Sequence, residues 1–343
     1  MKFAITGGGT GGHLAVAKAL CEALTQRGHE VIYIGSLSGQ DRSWFEGTDS
    51  PFSHSYFLKT SGVVNQKGLM KIVALFKIVV AFLKALFLLR RHKTQALISV
   101  GGFSAAPASM AAVFYRIPFY IHEQNAKMGK LNAILKRFSN LFFSSYDEDS
   151  PVKSYPISAT LFRSRRVRTK LKSIIFLGGS QGARAINDLA VAVAPWLQSK
   201  QIHIIHQCGA LDYERMKHAY ADLGIRVDLF AFSKLLPEKM AEADFAVSRA
   251  GASTLWELCA IGLPTFFVPY PYAASDHQFY NAQFIVKKEL GWCEREAEDL
   301  PTLLISALSE PSLELKSKAL MEQIGPDGAT HIIQAIENNM KEH

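Results

Sequence analysis

At 343 residues, with 48% hydrophobic and 20% charged side chains, the chain is too long for a single core and too apolar for a disordered protein. Its net charge of +8 is uneven, with 22 Lys+Arg against 9 Asp+Glu in residues 1–168 and 16 against 21 in the rest. A basic half of this kind suits an anionic partner, a nucleic acid or an anionic membrane, and the chain lacks the interleaved basic and aromatic motifs or zinc-ligand spacing of a nucleic-acid-binding module.

The chain opens directly on a strand, Lys2–Thr6, and not on a basic and apolar secretory leader. Short apolar runs at Val31–Ile34, Ala96–Val100, Phe119–His122 and Leu141–Ser144 continue the strand series, with helical stretches such as Leu14–Arg27 and Ala105–Tyr115 between them. The pattern restarts at Ser173–Leu177 and runs through Ile202–Gln207, Val227–Phe230, Phe245–Ser248 and Thr265–Val268. Strands alternating with helices predict parallel sheets covered on both faces, so each half reads as a doubly wound α/β domain. Residues 151–172 carry two prolines, a basic run and no apolar period, which places a seam there and divides the chain into 1–158 and 159–343. The final stretch, Ala329–Lys341, reads as a helix that packs back on the first domain. Cys21, Cys208, Cys259 and Cys293 lie far apart with no CxxC pair, which fits a reducing cytoplasmic compartment and no metal cluster.

Three segments carry the chemistry. Gly7-Gly8-Gly9-Thr10-Gly11-Gly12-His13 lies between a strand and a helix, where glycines let backbone N–H groups approach a phosphate. The loop also satisfies GxGxxG, with Glu30 and Asp41 downstream, so an NAD-dependent oxidoreductase competes. Gly178-Gly179-Ser180-Gln181-Gly182-Ala183-Arg184 repeats that context in the second half. Its Gly178-x-Ser180-x-Gly182 fits a nucleophile elbow, with Asp276 and His277 following in an allowed order, so a serine hydrolase competes as well. The third segment, Ser248 to Glu257, follows a strand and opens a helix whose N–H groups and Ser253 and Thr254 hydroxyls suit a diphosphate. Glu257 lies one turn further, placed to accept from ribose hydroxyls.

Together with SVGGFSAAP at 99–107, IHEQN at 121–125, HQCG at 206–209 and DHQFYNA at 276–282, these segments resemble the MurG family of peptidoglycan glycosyltransferases, in family order and over nearly the whole chain. The resemblance implies two Rossmann-like domains facing a cleft, the GT-B architecture. It implies inverting transfer of N-acetylglucosamine from UDP-N-acetylglucosamine to lipid I, undecaprenyl-diphospho-N-acetylmuramoyl-pentapeptide, to give lipid II. The donor contacts it implies fall on Thr10, Gly11, Gly12, Asn125, Ser180 and Gln278, with Ala252, Thr254 and Glu257 at the diphosphate and ribose. Two features depart from the family: His13 runs straight into Leu14-Ala15-Val16 without the usual proline segment, and Ser158 stands where a seam arginine is usual, with Arg163 and Arg165 as nearby substitutes.

Inverting transfer needs a base at the acceptor hydroxyl and charge stabilisation for the departing diphosphate. His13 is the first candidate base and Glu123 the second, while Arg249 is expected to assist the helix N-termini at the diphosphate. That scheme requires no metal or other cofactor; Asp147-Glu148-Asp149 matches a metal-binding DxD pattern but reads as a solvated acidic turn. Residues 68–91 are the most apolar in the chain, yet Lys71, Lys77 and Lys84 interrupt them. Lys77, Lys84 and Arg91 recur every seven residues, drifting only about 20° per step, and so share one helix face. Phe76, Phe82 and Phe87 beside that basic stripe predict an interfacial helix on anionic lipid. With a lipid-linked acceptor, the expected location is peripheral, on the cytoplasmic face of the bacterial inner membrane.

Overall fold

A computed structural model describes residues 1–60, 69–179, 182–233, 235–309 and 312–342. The chain divides into two compact units, Met1–Ile157 with Asp327–His343, and Ser158–Pro326. In the first, strands β1 (Lys2–Thr6), β2 (Glu30–Ser36), β3 (His54–Leu58), β4 (Ala96–Ser99), β5 (Phe119–Glu123) and β6 (Leu141–Ser144) pair in parallel in the order β3-β2-β1-β4-β5-β6. Its helices are α1 (Gly11–Gln26), α2 (Asp41–Phe45), α3 (Leu69–Arg91), α4 (Ala106–Tyr115) and α5 (Lys130–Leu135).

The second unit repeats the plan. Strands β7 (Ser173–Leu177), β8 (His203–Gln207), β9 (Asp228–Phe230), β10 (Phe245–Ser248), β11 (Thr265–Phe267) and β12 (Trp292–Cys293) pair in parallel as β12-β11-β10-β7-β8-β9. Read from the other edge, this is the order of the first sheet. Around it lie α6 (Arg184–Ser199), α7 (Tyr213–Asp222), α8 (Leu236–Glu242), α9 (Ala252–Ile261), α10 (His277–Val286), α11 (Leu300–Leu308) and α12 (Leu313–Glu322).

The chain then returns to the first unit as α13 (Gly328–Glu342), so the second unit ends at Pro326 and not at residue 343. Glu337 on α13 meets Arg27 and, at 2.7 Å, His29, while Asn339 accepts the Tyr120 hydroxyl at 3.0 Å. Gly328 abuts the chain so closely that a Cβ there would stand 2.7 Å from the carbonyl oxygens of Ser154 and Tyr155.

Both sheets have their crossover reversal beside the first strand of the unit, between β1 and β4 and between β7 and β10. Ligand sites of doubly wound sheets form at the carboxyl ends of such strand pairs. The fully buried β4, β7 and β10, with β1 buried from Phe3 on, explain why the sequence shows them as apolar runs. Leu14, Leu20 and Leu24 seat α1 with no exposure, each contributing about 1.5–3 kcal/mol of burial. The edge strand β3, His-Ser-Tyr-Phe-Leu, was not anticipated, because four of its five residues stay partly exposed or exposed and no apolar run marks it.

The basic run at the seam is partly structural. Arg168 is fully buried and donates to the carbonyls of Ala243, Arg166 and Ile261, and its burial pushes its pKa down to about 9. Arg166 pairs with Asp244 at 2.8 Å. These two charges belong to the packing of the second unit.

Candidate active site

In the first unit, the glycine loop after β1 is held from two sides. The Gly8 N–H donates to the Gly101 carbonyl at 3.1 Å, and the Gly9 N–H donates to Asp41 at 2.6 Å. Gly7 has φ +114, and a Cβ there would come 2.3 Å from the Gly101 oxygen, so only glycine fits. α1 starts at Gly11, three residues before the apolar period begins, which puts His13 in its first turn. The Thr10 hydroxyl lies 2.8 Å from His13 Nδ1. When Nδ1–H donates to that hydroxyl, Nε2 carries the lone pair that a base needs. A Cβ on Gly101 would stand 3.5 Å from His13 Nε2 and 3.2 Å from the Asn132 side-chain nitrogen. His13 and the loop after β5 are therefore neighbours.

That second loop is organised by Glu123, which is buried. Its Oε1 accepts from the Asn125 N–H at 3.0 Å, and its Oε2 accepts from the Gly129 N–H and from Asn132 Nδ2, both at 2.9 Å. With both oxygens engaged, the carboxylate anchors this loop. Glu123 also borders a cavity of about 370 Å³ shared with Asn125, Met128, Phe142 and Tyr146. Next to it His122 is buried, and desolvation, then the nearby His13, pushes its pKa down to about 3, so it is neutral at pH 7. In the acidic turn, Lys136 sits 3.0 Å from Asp147 and holds its carboxyl below the ordinary range. Among the described residues no cluster of three metal-ligating side chains forms.

In the second unit, the loops after β7, β10 and β11 enclose a cavity of about 360 Å³ lined by Gly178, Gly182, Arg184, Arg249, Tyr270, Tyr272, Gln278 and Glu296. α6 and α9 begin after the loops that follow β7 and β10, so their N-terminal N–H groups lie at the carboxyl ends of those strands. Arg249 donates to the carbonyls of Val268 at 3.0 Å and Pro269 at 3.1 Å, pairs with Glu296 at 2.6 Å, and lies 5.5 Å over the Tyr270 ring. Gln278 accepts the Tyr270 N–H at 3.0 Å, which fixes its side chain. Ala252 and Thr254 occupy the first turn of α9, and Glu257 follows one turn later. Desolvation pushes the Glu257 carboxyl up to about 7. Ser180 lies outside the described residues.

The structure therefore places Thr10, Gly11, Gly12, His13, Glu123 and Asn125 at the carboxyl ends of β1 and β5 in the first unit, and Arg249, Ala252, Thr254, Glu257 and Gln278 beyond the carboxyl ends of β10 and β11 in the second. Tyr270, Tyr272 and Glu296 escaped the sequence reading because they enter from loops whose approach is set only by folding. Of the seam residues, Ser158 bonds to Thr160 at 2.8 Å and Arg165 donates to the Met321 carbonyl. The two competing readings lose their key partners. Asp276 pairs with Arg295 at 2.6 Å while His277 faces the Ala274 carbonyl at 2.8 Å, so no acid orients that histidine for a triad. Asp41 is buried and accepts the Gly9 N–H of the glycine loop, and Glu30 pairs with Lys2 at 3.2 Å.

Comparison with known proteins agrees with this layout. The glycosyltransferase family 28 N-terminal domain matches residues 3–144, and the family's C-terminal domain matches residues 173–336. The chain is 57% identical over 333 residues to the UDP-N-acetylglucosamine--N-acetylmuramyl-(pentapeptide) pyrophosphoryl-undecaprenol N-acetylglucosamine transferase of Sulfurimonas denitrificans, covering 97% of each chain. It is 49% identical over 334 residues to the same-named protein of Campylobacter fetus, covering 97% of this chain and 99% of that one. Among solved structures, Acinetobacter baumannii MurG superposes with a TM-score of 0.79 at 27% identity, over 98% of this chain and 99% of that one. The glycosyltransferase VinC shares the fold at a TM-score of 0.64 and 14% identity, each chain fully covered.

Proposed function

The chain belongs to glycosyltransferase family 28, and from that membership we propose that it transfers N-acetylglucosamine from UDP-N-acetylglucosamine to lipid I in peptidoglycan synthesis. The observation that carries this reading is the 57% identity, over 97% of both chains, with a relative named for that transfer. Its fold is the pair of Rossmann-like domains of GT-B glycosyltransferases.

The chemistry divides between the units. In the second, the N-termini of α6 and α9 receive the diphosphate of the donor, Arg249 adds a fixed positive charge, and Glu257 accepts from the ribose hydroxyls. Ala252 and Thr254 line the diphosphate, with Gln278 toward the sugar. In the first, His13 removes the proton of the acceptor hydroxyl as that oxygen attacks the anomeric carbon. The bond from that carbon to the UDP oxygen breaks, and its electron pair leaves with UDP. Thr10 orients the His13 ring, while Glu123 sets the loop that carries Asn125. The scheme needs no metal or other cofactor, and turnover that survives exhaustive chelation supports it; complete loss restored by manganese overturns it.

The enzyme works peripherally on the cytoplasmic face of the inner membrane, where lipid I and the nucleotide sugar meet. No helix among the described residues is long and apolar enough to cross a membrane. What supports surface binding is the two-sided character of α3. Ala81, Ala85, Leu88 and Leu89 pack into the core, yet Phe76, Leu83 and Phe87 stand exposed beside Lys77 and Lys84. The neighbouring α4 adds exposed Met110 and Phe114, with the Phe114 ring edge-on to Phe82 at 6.1 Å. Apolar side chains among lysines suit an anionic lipid surface. Transfer assayed with the purified chain, UDP-N-acetylglucosamine and a lipid I analogue tests the activity directly.

A further inference from the structure

Asp41 is the one fully buried carboxylate that reaches into the first glycine loop among the described residues, and the proposed chemistry has not used it. One of its oxygens accepts the Gly9 N–H at 2.6 Å. The other accepts the Ser36 N–H and the Tyr33 hydroxyl, both at 2.9 Å. The Tyr33 oxygen also lies 2.6 Å from the Gly7 carbonyl, so a single pair of side chains grips the loop at Gly7 and Gly9. The fit is tight: a Cβ on Gly8 would come 2.5 Å from Asp41 Oδ1, and one on Gly9 would come 2.7 Å from the Phe103 ring. Thr10, which contacts His13 Nδ1, follows Gly9 directly in the chain.

Two consequences follow from this geometry. The N–H groups of Gly8 and Gly9, which a phosphate-cradling loop presents to its ligand, are donated within the protein. The loop is thus a rigid mount for Thr10 and His13, and Asp41 sets its position. We propose that Asp41 is a positioning residue of the transfer, holding the Gly7–Gly9 loop, together with Tyr33, in the geometry that orients His13 through Thr10. This rests on the reading of His13 as the base.

Asp41→Asn tests it, because the change is nearly isosteric. The amide oxygen keeps the Tyr33 and Ser36 donors, but its NH2 then faces the Gly9 N–H, donor against donor. The full chain with UDP-N-acetylglucosamine and a lipid I analogue should show kcat reduced about 10- to 100-fold, as a small misplacement of a catalytic group does. KM for the nucleotide sugar should stay within about twofold, since the second unit holds the nucleotide. Calorimetry should still find one UDP bound per chain, and the apparent pKa in the kcat–pH profile should shift relative to wild type. Tyr33→Phe, which removes only the hydroxyl, should shift the same profile in the same direction with a smaller loss of kcat. Wild-type kcat in both variants, or an unshifted profile with UDP stoichiometry falling in step with kcat, overturns the proposal. No transfer by the wild-type chain overturns the functional reading beneath it as well, whereas an active wild type beside fully active variants overturns the role of Asp41 alone.

Discussion

Replacing Phe76, Phe87 and Phe114 by serine should release the protein from anionic membranes while leaving its fold and chemistry intact. The three rings are 68%, 62% and 67% exposed, so the folded protein loses little packing when they go. A phenylalanine gains about 1.5–3 kcal/mol on full burial, so inserting the exposed two thirds of each ring is worth about 1–2 kcal/mol. The three together supply about 3–6 kcal/mol, a change of about a hundred- to twenty-thousand-fold in partitioning at 1.4 kcal/mol per decade. Lys77 and Lys84 contribute about 1 kcal/mol each near an anionic surface, so changing both to glutamine should weaken binding about 30-fold. The assay is co-sedimentation with vesicles containing phosphatidylglycerol over a range of salt, with turnover on a short-chain soluble acceptor measured in parallel. Wild-type sedimentation by the triple variant, or binding indifferent to both lipid charge and salt, refutes the interfacial role of α3 and α4.

Other consequences can be checked more briefly. Glu257 carries a carboxyl raised to about 7, and the proposed ribose contact uses its ionised form, so UDP affinity measured by calorimetry should rise between pH 6 and 8. Glu257→Gln should bind UDP more weakly and lose that pH dependence; a retained slope assigns it to another group. By linkage, an acid whose folded pKa is raised stabilises the fold below its unfolded value and loses that contribution as pH rises through 7, so this variant should melt no lower than wild type above pH 7. Glu337 is the opposite case: the Arg27 hydrogen bond, then that of His29, lowers its carboxyl to about 2. Its stabilisation is present above its ordinary value and lost as pH falls toward 2, so Glu337→Gln should lower Tm at pH 7 and converge with wild type near pH 2. Equal melting temperatures at pH 7 contradict the tether between α13 and the first unit. His13→Ala should abolish most turnover with UDP binding retained, and near-normal turnover removes His13 from the base role.

Much of this was legible in the sequence, for reasons that differ by residue. Strands buried on both faces announce themselves as apolar runs, and glycines at their carboxyl ends mark the chain reversals, so both glycine loops and the α9 segment were found where the sheets reverse. β3 was missed because an edge strand with polar and aromatic residues carries neither a run nor a clean alternation. Asp41 was read as an acid downstream of a dinucleotide fingerprint; its real partner, Gly9, lies 32 residues away and is fixed only by the β1–β2 pairing. Glu123 stood out as a candidate base because its type and position were right, and only the three backbone and amide donors around it show that it anchors a loop. The amphipathic pattern of α13 identified a helix, while its partners Arg27 and His29 lie about 310 residues earlier in the chain.

The most direct measurement is transfer by the purified full chain of radiolabelled N-acetylglucosamine from its UDP conjugate to a lipid I analogue, followed with anomeric configuration by NMR. A β-linked product with release of one UDP per sugar transferred is the predicted result. Absence of UDP-N-acetylglucosamine binding at millimolar concentration, or binding with hydrolysis and no transfer, would contradict the account.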